Sequence, residues 1–326
     1  MSEPLLEIKN LTKSFFFKEG FFFKSVHELQ AVKEVDLTIS KGKTLGLVGE
    51  SGCGKSTLGL CLVRLLKPTS GSILFESSNI AAAQGKDLLR LRRDIQMIFQ
   101  DPYESLNPRM TIEDALVEPY QIHQPELTRT QILGEIKALL EVCGLSVQTL
   151  KKYPHEFSGG QRQRICIARA LSVKPKFIVC DEAVSALDVS IQAQIINLLM
   201  DLQKQFDLTY LFISHDLSVV RHICDDVAVM YLGRVVEQAP TDALFRRPCH
   251  PYTQALLSAA PFTDLKRDTK GRIELQGDVP SPIQPPSGCA FHPRCWKVTE
   301  ECRRVIPRLE RLEEQHDAAC FHPDLK

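Results

Sequence analysis

Nine consecutive residues, Gly49-Glu50-Ser51-Gly52-Cys53-Gly54-Lys55-Ser56-Thr57, have the types and spacing to hold a phosphate chain. Gly49, Gly52 and Gly54 allow a turn tight enough for successive N–H groups to face one concavity. A helix opening near Lys55 adds its positive dipole end. Lys55 would reach the β- and γ-phosphates, Ser56 would place a hydroxyl on Mg²⁺, and Thr57 a further hydroxyl near the α-phosphate. The apolar run at residues 44–48 predicts a strand before this loop, and residues 58–66 a helix after it. That is the strand–loop–helix order a phosphate-binding P-loop requires, and it favours nucleotide binding over an ordinary glycine-rich turn.

Three further constellations could do chemistry. Phe177-Ile178-Val179-Cys180 reads as a buried strand and ends in two carboxylates, Asp181 and Glu182. A solvated strand end is the bland reading; four apolar residues before the pair, and a phosphate loop elsewhere to receive it, argue against that. Ser158, Gly159, Gly160 and Gln161 open a helix running to about residue 171, which makes a second anion site at a helix start. Near the end of the chain stand Cys289, Cys295, Cys302 and Cys320, with five, six and seventeen residues between them. Zinc sites more often use closer cysteine pairs, and four thiolates also suit a [4Fe–4S] cluster. A loose tail with unreacted thiols is the remaining reading.

The elements that must position these groups follow from periodicity. Residues 5–15 and 32–39 alternate as strands, and the phenylalanine-rich segment 15–23 between them reads as a hairpin covering a sheet edge. Phe15 is the candidate to stack on an adenine ring. Residues 71–75 and 94–99 read as strands and 86–93 as a short basic helix. Residues 111–122 and 128–143 carry helical periodicity, with Thr128 as N-cap. This block interrupts a strand–helix alternation, so a helical subdomain is expected over about residues 101–172. Residues 191–205 read as helix, 208–213 as a strand that His215 follows, and 226–237 as two strands turning at Gly233. Alternation of this kind implies an α/β fold with a parallel sheet and a ligand at the carboxyl ends of its strands. Composition changes after Pro261, and Pro280, Pro282, Pro285 and Pro286 form an extended linker. The expected division is a nucleotide-binding domain at 1–262 and an extension at 263–326.

The chain has 326 residues, with 40 lysines and arginines against 40 aspartates and glutamates. No net field attracts nucleic acid or anionic lipid. No apolar run approaches a bilayer span, and Met1-Ser2-Glu3-Pro4 has no basic region followed by an apolar stretch. The expectation is a soluble, cytosolic protein. Of eleven cysteines, seven are scattered and read as small buried hydrophobes, Cys61, Cys166 and Cys180 among them. The other four group in the tail, which in a reducing compartment suggests metal more than disulfide. About forty tail residues with few large apolar side chains would need such a staple to order themselves.

Taken in chain order, the phosphate loop, Gln100, Ser158-Gly159-Gly160-Gln161, Asp181-Glu182, Ser185-Ala186-Leu187-Asp188 and His215 resemble the nucleotide-binding subunit of an ATP-binding cassette (ABC) transporter. The resemblance covers about residues 5–260. Gln100-Asp101-Pro102-Tyr103-Glu104-Ser105-Leu106-Asn107-Pro108-Arg109-Met110, His250-Pro251-Tyr252-Thr253 and the tail Gly288-Cys289-Ala290-Phe291-His292-Pro293-Arg294-Cys295 are similar to oligopeptide and dipeptide importer ATPases. The phenylalanine-rich insertion resembles the second ATPase of the pair in such importers. Ala183 departs from the proline usual after the glutamate and leaves both acids in place.

The resemblance implies a P-loop NTPase of ABC type that binds ATP and Mg²⁺. Ser56 and Asp181 would hold Mg²⁺, with Gln100 near the metal or the water. Glu182 would activate the attacking water, and His215 would hydrogen-bond the γ-phosphate. Ser158, Gly159, Gly160 and Gln161 would act in trans on ATP held by an opposing cassette, with Asp188 coupling the two sites. Implied partners are a paralogous ATPase, two membrane permease subunits and, indirectly, an extracytoplasmic peptide-binding protein, with this chain peripheral on the cytoplasmic face of the membrane. The resemblance favours [4Fe–4S] over zinc at Cys289, Cys295, Cys302 and Cys320. Two alternatives remain: an importer of nickel or another small solute, and a soluble ABC ATPase acting on nucleic acid. The tail's seven basic and seven acidic residues from Cys289 onward argue against a nucleic-acid arm.

Overall fold

The structure is a computed structural model and describes residues 3–19, 25–260 and 273–324. It divides into two compact units. One comprises Pro4–Ile39, Thr44–Ala81 and Ser214–Lys326 and carries the phosphate loop; the other comprises Met1–Glu3, Ser40–Lys43 and Ala82–Ile213 and carries the paired carboxylates. The expected domain boundary at 262 falls among residues 261–272, outside the described residues.

In the loop unit, β1 (Pro4–Glu19) and β2 (Ser25–Ser40) are hydrogen-bonded neighbours, as the hairpin reading expects. Val35, Leu37 and Ile39 bury one face of β2 at period two. Phe16 is 65% exposed, and Phe21, Phe22 and Phe23 lie outside the described residues. β3 (Thr44–Val48) is buried at all five positions. An unbroken apolar strand of this kind needs both sheet faces covered. Next comes α1 (Lys55–Leu62), shorter than periodicity suggests, because Arg64 turns left-handed at φ 57°. β4 (Ser70–Phe75) pairs antiparallel with β1, placing Ile73 opposite Ile8, and β5 (Ser78–Asn79) closes this small sheet.

The carboxylate unit begins with α2 (Gly85–Asp94) and β6 (Ile95–Ile98). A helical block follows: α3 (Pro102–Ser105), α4 (Ile112–His123), α5 (Arg129–Val142) and α6 (Gly159–Leu171), in agreement with the subdomain expected there. Thr111 and Thr128 cap α4 and α5 by accepting the N–H of Asp114 and Gln131, each about 1 kcal/mol of helix stability. β7 (Phe177–Asp181), α7 (Val189–Phe206) and β8 (Thr209–Ile213) complete the unit. β7 lies between β6 and β8, parallel to both, with Cys180 opposite Ile98 and Phe212.

The chain then returns to the loop unit with α8 (Leu217–Ile223), β9 (Asp226–Tyr231) and β10 (Arg234–Pro240). β9 runs parallel to β3 and turns into β10 through Leu232 and Gly233, at φ 43° and 88°. Two successive positive φ values suit the twist of a tight hairpin. After α9 (Thr241–Arg246) and α10 (Pro251–Ala259), the tail holds α11 (Glu300–Arg304), β11 (Glu310–Glu313) and β12 (His316–Ala318). β12 pairs antiparallel with β10, Glu237 opposite Ala318, and β11 adds beyond it. Among the described residues no helix is long and apolar enough to cross a membrane.

Candidate functional site

The loop unit builds a tight glycine-rich turn at the start of α1. A Cβ at Gly49 would lie 2.2 Å from the Met230 carbonyl oxygen, and one at Gly54 2.0 Å from that of Ala31, so both positions admit only glycine. Gly54 is the N-cap of α1 at φ 107° and offers no side-chain cap. The first-turn amides of Lys55, Ser56 and Thr57 are therefore presented at a positive helix end. The Lys55 ammonium is buried and donates to the carbonyls of Gly49 (2.8 Å) and Glu50 (2.9 Å). Ser51, Gly52 and Ser56 are exposed and Cys53 is buried. Burial raises the Cys53 pKa, so this residue is a packed thiol and no nucleophile.

His215 belongs to the same unit. The N–H of Ser214 donates to the Leu47 carbonyl (3.2 Å), and Asp216 caps α8 by accepting the N–H of Ser218 (2.8 Å). Held between these two contacts, exposed His215 stands at the end of β3 from which the phosphate loop leaves. Phe15 is half-buried, with the Lys13 ammonium 4.9 Å from its ring centre.

In the carboxylate unit, β7 delivers Asp181 buried and Glu182 half-buried. Glu182 adopts φ 46°, a left-handed conformation costing roughly 1–2 kcal/mol for a residue with a Cβ. Its N–H donates to the Ile213 carbonyl (3.0 Å), and the Gln100 amide donates to its carboxylate (2.9 Å). Two residues 82 apart in sequence thus share one hydrogen bond. Ser158 caps α6 reciprocally with Gln161: the Gln161 N–H reaches the Ser158 hydroxyl at 3.4 Å, and the Ser158 N–H donates to the Gln161 side-chain Oε1 at 3.1 Å. A Cβ at Gly160 would meet Ile191 at 2.4 Å, while one at Gly159 would touch only the tip of Leu187 at 3.3 Å. Gly160 is therefore fixed by packing on α7, and Gly159 is free of that constraint. Exposed Asp188 is the N-cap residue of α7 but makes no capping bond with its side chain.

The tail brings its four cysteines together. Cys289, Cys295, Cys302 and Cys320 line one pocket with His250, Phe291 and His322. The N–H of Lys297 points at the Cys295 sulfur (3.4 Å), that of His322 at the Cys320 sulfur (3.3 Å), and the Thr299 hydroxyl lies 3.3 Å from the Cys302 sulfur. Such contacts fix where these three sulfurs sit. Among the described residues, one set of three ligand atoms lies within 4.8 Å of one another, and it is elsewhere: Glu237, Cys249 and His316, all buried. There Oε1 of Glu237 lies 2.7 Å from the His316 ring, shorter than the about 3.3 Å that two ligands of one tetrahedral zinc would keep. The same carboxylate accepts the N–H groups of Cys249 (2.7 Å) and His250 (2.9 Å), so the cluster is a buried ion pair that fastens β12 to β10.

Two contacts had no signal in the sequence. Arg294 grips Glu50 of the phosphate loop, and the Glu50 N–H donates to the Tyr252 hydroxyl (2.8 Å). The resemblance drew attention to both stretches without pairing them.

A glycine-locked phosphate loop, a strand-end glutamate held by a glutamine, and a serine-capped glycine helix define an ABC-type ATP-binding cassette. Residues 32–185 match the family described as ABC transporter, and residues 236–302 the one described as Oligopeptide/dipeptide transporter, C-terminal region. A solved structure of cbiO1 from Clostridium perfringens, part of the ABC transporter complex cbiONQ, is similar at TM-score 0.64 and 28% identity, over 75% of this chain and 92% of that one. Another similar structure is an ATP-binding cassette dimer in a post-hydrolysis state bound to ADP and Pi (TM-score 0.63, 27% identity, 72% of this chain and 98% of that one). The oligopeptide transport ATP-binding protein AppF of Bacillus subtilis is 49% identical over 98% of this chain and 97% of its own length. The di/tripeptide transport ATP-binding protein DppF of Pseudomonas aeruginosa is 48% identical over 99% and 98%. The chain belongs to the ATP-binding subunits of oligopeptide and dipeptide ABC transporters, ATPases coupled to transport.

Proposed function

We propose that this chain hydrolyses ATP to power import of di- and oligopeptides, with Glu182 as the base. The observation that supports this reading is the Gln100–Glu182 hydrogen bond, which aims a strand-end carboxylate at a fixed direction. Lys55, the amides of Gly49 to Thr57 and the start of α1 hold the phosphates. Glu182 accepts the proton of the attacking water, and His215 steadies the γ-phosphate. Ser56 and Asp181, with Gln100, would hold Mg²⁺, which would supply charge neutralisation to the phosphates. Phe15 stacks on the adenine.

Ser158, Gly159, Gly160 and Gln161 act on ATP bound by an opposing, paralogous cassette, and Asp188 couples the two sites. The groove lined by Phe99, Ile122, His123 and Arg169 receives a membrane permease subunit at the cytoplasmic face; Phe99 and Ile122 are 39% and 51% exposed there. The peptide-binding protein acts on the far side of the membrane, and no nucleic acid is involved.

Cys289, Cys295, Cys302 and Cys320 hold a [4Fe–4S] cluster. They line one pocket, which supports a single shared site.

The test is reconstitution of the whole transporter in liposomes with a binding protein. ATP-dependent uptake of a labelled dipeptide is the expected result. Uptake of nickel but not peptide would reassign the substrate, and copurification with nucleic acid in place of membrane subunits would reassign the class.

A further inference from the structure

The phosphate loop carries an acid. Glu50 follows Gly49 directly, in a loop whose amides and helix end attract phosphate, so an unpaired carboxylate there would repel the ligand. Arg294 of the tail answers that charge with a two-bond fork, Nη1 to Oε2 at 2.8 Å and Nη2 to Oε1 at 3.1 Å. The Arg294 side chain is 8% exposed and that of Glu50 25%. An open surface pair contributes almost nothing, whereas a planar fork at this exposure is charge-assisted and fixed in direction.

Glu50 is also held through its backbone. Its N–H donates to the Tyr252 hydroxyl and its carbonyl accepts from Lys55. Tyr252 packs against Tyr231 and Phe291 at ring separations of 4.6 and 5.4 Å. Phe291 precedes the single turn His292–Arg294, whose two ends are flanked by Cys289 and Cys295. Every one of these contacts lies within the loop unit.

We infer that Arg294 is a positioning residue of the nucleotide site: the tail supplies the cation that neutralises Glu50 and sets the phosphate loop for ATP. This rests on the reading that residues 49–57 hold ATP. The neutralisation makes a prediction that simple bracing does not. Removing the cation harms ATP binding because Glu50 is left charged, so removing the Glu50 charge as well repairs it.

The experiment measures Mg·ATP affinity of the full-length subunit by calorimetry, and KM and kcat in the assembled transporter. Arg294→Met should weaken ATP binding about tenfold or more, from one unpaired carboxylate in the phosphate loop. KM should rise while kcat holds within about twofold. Arg294→Lys should keep most of the affinity, and the double variant Glu50→Gln/Arg294→Met should recover most of what Arg294→Met loses. Lys55→Ala is the control for the site itself. If Lys55→Ala leaves ATP affinity unchanged, the phosphate-loop reading fails and the inference with it. If Lys55→Ala abolishes binding while Arg294→Met does nothing, or the double variant stays as weak as Arg294→Met, the inference alone is overturned.

Discussion

Replacing Glu237 with alanine should detach the tail from its sheet while leaving the phosphate loop in place. The carboxylate is fully buried and accepts three bonds: from the N–H of Cys249, from the N–H of His250, and from the His316 ring at 2.7 Å. Each buried donor left without an acceptor costs about 1–3 kcal/mol. Breaking a buried ion pair from one side costs about 3–5 kcal/mol. These costs share the His316 contact, so the total is on the order of 5 kcal/mol, comparable to the lower end of a domain's whole stability. β12 meets β10 at just two register pairs, Glu237–Ala318 and Gln238–Asp317, and cannot absorb that loss. Limited proteolysis should then cut readily between residues 310 and 320, where the wild type resists. His316 adds a pH signature. Hydrogen bonds with Cys249 and Glu237 hold its pKa up, at about 10, against about 6.5 in an unfolded chain. A raised pKa means that its contribution is fully present below about pH 6.5 and is lost as pH rises through about 10. Wild-type resistance should therefore fade at the alkaline end, and Glu237→Ala should lack that step. Unchanged cleavage in Glu237→Ala, with thermal stability within about 1 kcal/mol of wild type, would refute the fastening role.

Glu182→Gln should keep ATP binding and cut hydrolysis in the assembled transporter by roughly 10²-fold or more; near-normal turnover removes Glu182 as the base. Gly159→Asp fits sterically, because the Cβ meets only a side-chain tip at 3.3 Å. It should spare ATP affinity of the isolated subunit but stop ATP-driven dimerisation and transport, and collapse of isolated-subunit binding would place that helix start in cis. Anaerobically purified protein should be brown, with about four irons and four sulfides per chain, and Cys295→Ser should bleach it. Zinc without sulfide would replace the cluster with a mononuclear site, and no metal at all would end both readings.

What the sequence made legible was whatever lies close along the chain. The helix starts near Lys55 and Gly159 and the strand that ends at Asp181 are each set within a few residues, and these elements lie where the sequence places them. The Glu182 conformation at φ 46° and the Gln100 bond that meets it depend on residues far apart, so their types were readable and their contact was not. The same limit hid the Glu50–Arg294 fork, whose partners are 244 residues apart.

The tail exposes the limit most directly. Forty residues with few large apolar side chains need a metal staple only if they are a closed system. They are not closed: Glu310–Glu313 and His316–Ala318 have no hydrophobic alternation of their own, and become strands because β10 offers an edge and Glu237 a buried acceptor. The ion pair acts on β12, while the cysteine pocket lies among the turns around Cys289, Cys295 and Cys302. Losing Cys295 should thus loosen residues 289–304 and leave β12 paired, whereas losing Glu237 should free β12 first. If Cys295→Ser instead exposes residues 310–320 to protease as fast as Glu237→Ala does, the tail is held by its cysteines after all, and the strand pairing follows from them.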